Sequence, residues 1–241
     1  MKSFFTYLSL ATICFLNVQC STPWNSVRGN GNIISETRKT GSYDEISLSS
    51  SFDVTLISGD EGTITINAEE NLLQYIITEV NGNSLNIYTK NGTNISSNKG
   101  VKITVPVTSI YEVSLTGSGS IKSQTTLESK DFKTLITGSG DIILPINAKS
   151  TEASVTGSGD LQLTGTTDFF EGRVTGSGDI IANDLETKDA DVHVSGSGDI
   201  KVNCSNNLKA SITGSGDIMY VGNPITRDFS TTGSGDISSS Y

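Results

Sequence analysis

A short motif, Gly-Ser-Gly followed by Asp or Ser, recurs seven times in the second half of the chain. The copies begin at Gly117, Gly138, Gly157, Gly176, Gly196, Gly214 and Gly233, at steps of 21, 19, 19, 20, 18 and 19 residues. A period near 20 residues restricts such a chain to a solenoid, in which each repeat is one coil stacked on the last.

The residues around each motif alternate. Ala153, Val155, Gly157, Gly159, Leu161 and Leu163 share one parity. Ser154, Thr156, Ser158, Asp160, Gln162 and Thr164 share the other. Period-two alternation marks a strand with one dry and one wet face. The second glycines (Gly119, Gly140, Gly159, Gly178, Gly198, Gly216 and Gly235) fall on the dry parity with the first. Glycine weakens a strand, so it needs a reason there. Either the chain bends at the motif, or an opposite wall leaves no room for a side chain. The bend is preferred, which makes each coil two short strands meeting at a corner plus a variable third side.

Helical repeats do not fit. The motif region is rich in Thr, Ser, Gly and Ile, and a Gly-x-Gly in every coil breaks a helix. The Leu-x-x-Leu-x-Leu frame of leucine-rich repeats is absent. The expected fold is all-β, a right-handed parallel β-helix (β-solenoid) with about 18–21 residues per coil in the C-terminal half and less regular N-terminal coils.

The 241 residues suffice for one domain. A net charge of −10 argues against nucleic acid and anionic lipid as partners. Lys2 followed by the apolar run 4–16 reads as an export signal, too short to span a bilayer comfortably. Leu16-Asn17-Val18-Gln19-Cys20 then resembles a lipoprotein box, with Cys20 as the lipid attachment site. The expected organisation is a lipoprotein-type signal peptide at 1–20, a polar tether at 21–33, and a single β-helix domain at 34–241. Within it, 34–111 form irregular coils and 112–241 the Gly-Ser-Gly-Asp repeats.

In the irregular half, strands are expected at 45–48, 53–57, 63–67, 75–80, 84–88 and 101–105, with a helical turn near 69–74. The stretch from Ile46 to Val54 can be laid over that from Val113 to Ile121, so that Asp53 meets the fourth motif position. This reads as a degenerate coil. After the last motif only Ser238 to Tyr241 follow. A second copy could therefore pair with an uncovered coil end.

The ordered set Glu36-Thr37-Arg38, Phe52-Asp53-Val54, Glu70-Asn71-Leu72-Leu73, Ile76 and Leu85-Asn86-Ile87, followed by repeated Gly-Ser-Gly-Asp-Ile, resembles the putative auto-transporter adhesin head GIN domain family of exported Bacteroidetes proteins. The resemblance runs from about Glu36 to Ile237. It implies a single-chain β-helix and supplies no catalytic residues.

Stacked coils would bring Asp141, Asp160, Asp179, Asp199, Asp217 and Asp236 into one column. Such a column either accepts backbone hydrogen bonds or holds Ca²⁺. Calcium-binding repeats place an apolar residue two positions after the Asp, whereas Ile or Leu follows directly here, so the structural role is preferred. The lone His193, beside Asp191, lacks a nucleophile motif. Cys204 has no disulfide or metal spacing around it.

The expected function is a non-catalytic cell-envelope lipoprotein, on the outer membrane, acting as an adhesion, interaction or structural module. A carbohydrate-active β-helix enzyme (polysaccharide lyase or hydrolase) and a calcium-dependent surface protein are the alternatives. A glycan or protein ligand is expected. No cofactor is.

Overall fold

The computed structural model describes residues 25–240. The signal segment and Cys20 lie outside the described residues. From Glu112 onward the chain winds as stacked parallel coils. The first glycines of all seven motifs are direct register partners in series, from Gly117 to Gly233. Between motifs the backbone barely leaves the extended state. Asp141–Gly157, Leu161–Gly176, Ile180–Gly196 and Ile200–Gly214 are each one long bent strand.

The dry parity becomes columns of core. Ile136, Val155, Val174, Val194 and Ile212 stack in register and are buried. So do Ile142, Leu161, Ile180, Ile200 and Ile218 across the corner. Burying each contributes about 1.5–3 kcal/mol relative to exposure. A third column alternates in size: Phe132, Thr151, Phe170, Ala190, Leu208. The Phe170 ring fills the space inside its own coil, where a Cβ on Gly172 would lie 2.9 Å from it. One large residue thus dictates a missing side chain two positions on.

The N-terminal region adds two coils, wound out of order. Glu45–Ser49 and Asp53–Ser58 lie beside Glu112–Gly117 and Ser120–Ser123. Their register pairs Ile46 with Val113, Leu48 with Leu115 and Asp53 with Ser120, as the sequence overlay has it. Ser84–Thr89 and Lys102–Val107, later in the chain, stack on the other side of that coil. Antiparallel strands then close this end. Ile76–Asn81 pairs with Ser84–Thr89, and Thr63–Glu69 pairs with both Lys102–Val107 and Ile33–Lys39. Within the stretch read as a tether, Asn25–Arg28 forms a parallel pair with Thr93–Ser96.

Glu69 locks these outer segments to the core. It is fully buried, and its carboxylate accepts from Gly31 N–H (2.7 Å), Ser97 Oγ (2.7 Å) and Asn98 N–H (3.0 Å). A Cβ on Gly29 would overlap that carboxylate. The Ser97 hydroxyl, with the backbone donors, holds its pKa below the ordinary carboxylate value despite burial. A depressed folded-state pKa contributes stability above the unfolded value, which is lost as pH falls through the folded one. Glu69→Gln should therefore flatten the loss of thermal stability in acid. A pH series of melting curves in which the variant and the native chain lose stability in parallel contradicts this role.

Candidate interaction surfaces

Each Gly-Ser-Gly corner is built by two different uses of glycine. The first glycine has φ between +118° and +137°, which L side chains rarely adopt. The second has no such angle. A Cβ there would lie 1.9–2.6 Å from a backbone oxygen of the neighbouring coil. The cause is the ladder itself: serine N–H groups donate to the first-glycine carbonyl of the preceding coil, as in Ser158 N–H to Gly138 O at 2.8 Å. Coils approach closely enough to make that bond only where nothing projects between them. The preference for a bend alone is corrected: close approach excludes a side chain at both glycines, since a Cβ on the first would also lie 2.0–2.8 Å from a backbone oxygen of the neighbouring coil, and the bend is added at the first.

The aspartates stand in a column, and from Asp160 to Asp236 each is tied to the next. The carboxylates of Asp160, Asp179, Asp199 and Asp217 accept the backbone N–H of Asp179, Asp199, Asp217 and Asp236 at 3.2, 2.8, 2.8 and 2.9 Å. Neighbouring charges about 4.8 Å apart repel by about 0.9 kcal/mol in water. A charge-assisted hydrogen bond contributes about 1.5–3 kcal/mol, so the column is favourable without a cation. Among the described residues no group of three His, Cys, Asp or Glu is placed to hold a metal ion. Asp199→Asn keeps the acceptor and removes the repulsion, so it should leave the melting temperature nearly unchanged. Asp199→Leu leaves the Asp217 N–H unpaired, at a cost of about 1–2 kcal/mol. Equal melting temperatures for the two variants, or a fall on adding EDTA to the native chain, would rule out this account.

Beside the corner, Thr116, Thr137, Thr156, Thr175, Ser195, Thr213 and Thr232 are register partners in one line. All but the half-buried Ser195 are exposed. The motif serines Ser118 to Ser234 form a second exposed line across the glycine. The result is two parallel rows of hydroxyls, one per coil.

No catalytic relay forms at His193. Its Nδ1 lies 2.8 Å from Ser211 Oγ, but the Asp191 carboxylate is held by Lys209 at 3.0 Å. The buried Cys204 thiol donates to the Lys188 and Asn207 carbonyls, and burial pushes its pKa up, away from thiolate chemistry.

Sequence reasoning missed a broad groove on the third side of the coils. It has a volume of about 590 Å³ and runs across five coils, from Glu128 to Ser205. Its floor is made of small buried residues, Ala148, Thr167 and Thr187. One wall is the register line Glu128, Asn147, Thr166, Glu186. The other carries Lys149, Asp168 and Lys188. Phe169 follows Asp168 in the chain. It is 40% exposed and lines an adjoining hollow of about 370 Å³.

Comparison with known proteins agrees with this architecture. The chain is similar in structure to a putative adhesin from Bacteroides fragilis, with a TM-score of 0.83 at 21% identity over 89% of this chain and 100% of that one. A putative lipid binding protein from Parabacteroides distasonis matches with a TM-score of 0.76 at 29% identity, over 90% and 100% of the two chains. A putative adhesin from Parabacteroides merdae matches with a TM-score of 0.71 at 19% identity, over 90% and 100%. Among curated protein sequences none matches at a significant level. The family model for the putative auto-transporter adhesin, head GIN domain, matches residues 42–224. The stacked coils and that match over most of the chain establish that it belongs to the putative auto-transporter adhesin, head GIN domain family.

Proposed function

We propose that this protein is a non-catalytic adhesion or interaction module of the bacterial cell envelope, exported and held on the outer membrane by a lipid on Cys20. The observation that carries the reading is the regular polar exterior. Rows of exposed hydroxyls repeat once per coil on a rigid backbone, a surface that gains affinity by summing weak contacts. The adhesin names of the family and of two solved relatives support the same reading. The lipid-binding name of a third relative is less well matched by the groove, whose walls are charged, amide and hydroxyl groups rather than an apolar channel.

The test is expression of the full chain and of Cys20→Ala in a Bacteroidetes host fed an alkyne-tagged fatty acid. The native chain should take up the label, fractionate with the outer membrane and increase binding of the cells to host-cell layers or matrix proteins. Cys20→Ala should be unlabelled and released. Equal labelling of both, or cells that bind no better than the parent strain, would count against the proposal. So would new reducing ends appearing when the purified chain is incubated with polysaccharides.

A further inference from the structure

We propose that the third-side groove, together with the hollow lined by Phe169 next to it in the chain, is a binding site for a neutral linear oligosaccharide. This rests on the interaction reading above and names its ligand class. Three features of the site point to that class.

The first is shape. The groove runs parallel to the coil-stacking direction and crosses five coils, a span of about 19 Å at the usual strand spacing. The floor residues are small and the wall residues recur from coil to coil, so the trough is elongated along the stack. An extended chain fits it, and a compact cofactor does not.

The second is the chemistry of the walls. They are pre-ordered by their own hydrogen bonds. Asn147 Nδ2 donates to Glu128 Oε2 at 2.8 Å, and Thr166 Oγ1 donates to Asn147 Oδ1 at 2.7 Å. Lys188 Nζ lies 2.7 Å from Asp168 Oδ1. Side chains fixed before binding lose little entropy on binding. Donor, acceptor and donor alternate along the Lys149, Asp168 and Lys188 wall, and the other wall offers carboxylate, amide and hydroxyl oxygens, which suits a ligand whose hydroxyls both donate and accept. Charge is nearly balanced: three carboxylates, Glu128, Asp168 and Glu186, share the groove with two ammonium groups, Lys149 and Lys188. A polyanion gains nothing from such a trough. Protein partners need aromatic or aliphatic anchors in a pocket, and the floor offers none.

The third is Phe169. Among the described residues between Tyr111 and Ile225 it is the one exposed large hydrophobic side chain. Its register partners across two coils are Asp189 and Asn207, and before it stands Ser150, all polar. The Asp189 carboxylate is fixed by Asn206 Nδ2 at 2.9 Å and Asn207 Nδ2 at 2.5 Å. An aromatic face beside an oriented carboxylate and amide gives one sugar ring an apolar platform and polar partners at its edge.

The test uses the purified chain and a panel of soluble linear hexasaccharides of glucose, mannose, xylose and N-acetylglucosamine, by calorimetry. At least one should bind saturably, with an affinity little changed by salt. Phe169→Ser and Asn147→Leu, both on the surface, should each weaken it about tenfold or more, with melting temperatures kept. Lys122→Ala, exposed on the opposite side of the corner and outside both the groove and the hydroxyl rows, should bind as the native chain does. A panel with no binder, binding untouched in both groove variants, or affinity that collapses with salt overturns the proposal. If the cell-adhesion measurement above succeeds while the panel fails, the ligand class is wrong and the adhesion reading stands. If both fail, both fall.

Discussion

Gly178→Ala should strongly destabilise the middle of the solenoid. The substitution adds a single methyl, and Gly178 has an ordinary backbone angle, so no conformational penalty enters. The methyl would lie 2.1 Å from Gly159 O and 2.9 Å from Gly159 N. Both are main-chain atoms of the neighbouring coil and cannot rotate away. Relief requires separating two coils, which stretches the bonds from Ser177 N–H and Gly178 N–H to Gly157 O, now 2.8 and 3.0 Å. The same shift opens the core columns on both sides of the corner. Overpacking of a rigid site, with loss of ladder bonds, places the cost at about 4 kcal/mol or more. For a domain of this size that lowers the melting temperature by roughly 8–16 °C. The control is Gly82→Ala, where φ is +63° and nothing lies within 4 Å. It incurs only the left-handed penalty of about 1–2 kcal/mol. Thermal melts in which Gly178→Ala costs no more than Gly82→Ala would remove close coil approach as the reason for the second glycine.

Gly178 also shows where sequence reasoning reaches its end. Alternation placed it on the inward parity, because that depends only on neighbours in the chain. The atom that excludes its side chain belongs to Gly159, on the preceding coil. The same division holds elsewhere. Asp53 could be aligned with the motif because period and parity survive in that degenerate coil. The placement of Ser84–Thr89 and Lys102–Val107 at the far end could not be foreseen, since alternation records neither partner nor direction. The antiparallel closure by Thr63–Glu69 and Ile76–Asn81 is hidden for the same reason. The groove eluded the sequence because Lys149, Asp168 and Lys188 sit in the variable stretches, where no repeat marks them. Alternation puts Phe170 on the inward parity of Val174 and Gly176 and Phe169 on the other, but it does not show that the outward ring stands beside Asp189 and Asn207 of later coils.

Arg227→Leu combined with Thr231→Ile should make the chain dimerise. In the last described coil the inward positions that carry Leu208, Ala210 and Ile212 one coil earlier are taken by Arg227, Phe229 and Thr231. Arg227 stands over the Tyr220 ring at 5.5 Å, and Phe229 packs against the same ring at 5.6 Å. A charge at an inward position of an edge strand is a known defence against pairing with another chain. It leaves the outer backbone edge of Thr226–Gly233 unpaired among the described residues, yet unattractive. Replacing Arg227 and Thr231 by apolar residues turns that end into a continuous apolar ledge, with Phe229 38% and Ile225 80% exposed beside it. At the opposite end, the edges of Ser84–Thr89 and Lys102–Val107 are already paired with antiparallel strands. The parallel coil edge at that end is therefore covered, which favours a contact between two variant ends over head-to-tail growth. An isologous contact closes at two copies. Sedimentation velocity should show the variant as a dimer with micromolar affinity, while the native chain sediments as a monomer. A native chain that already dimerises through this end, or a variant that forms open filaments, would show that Arg227 does not guard it.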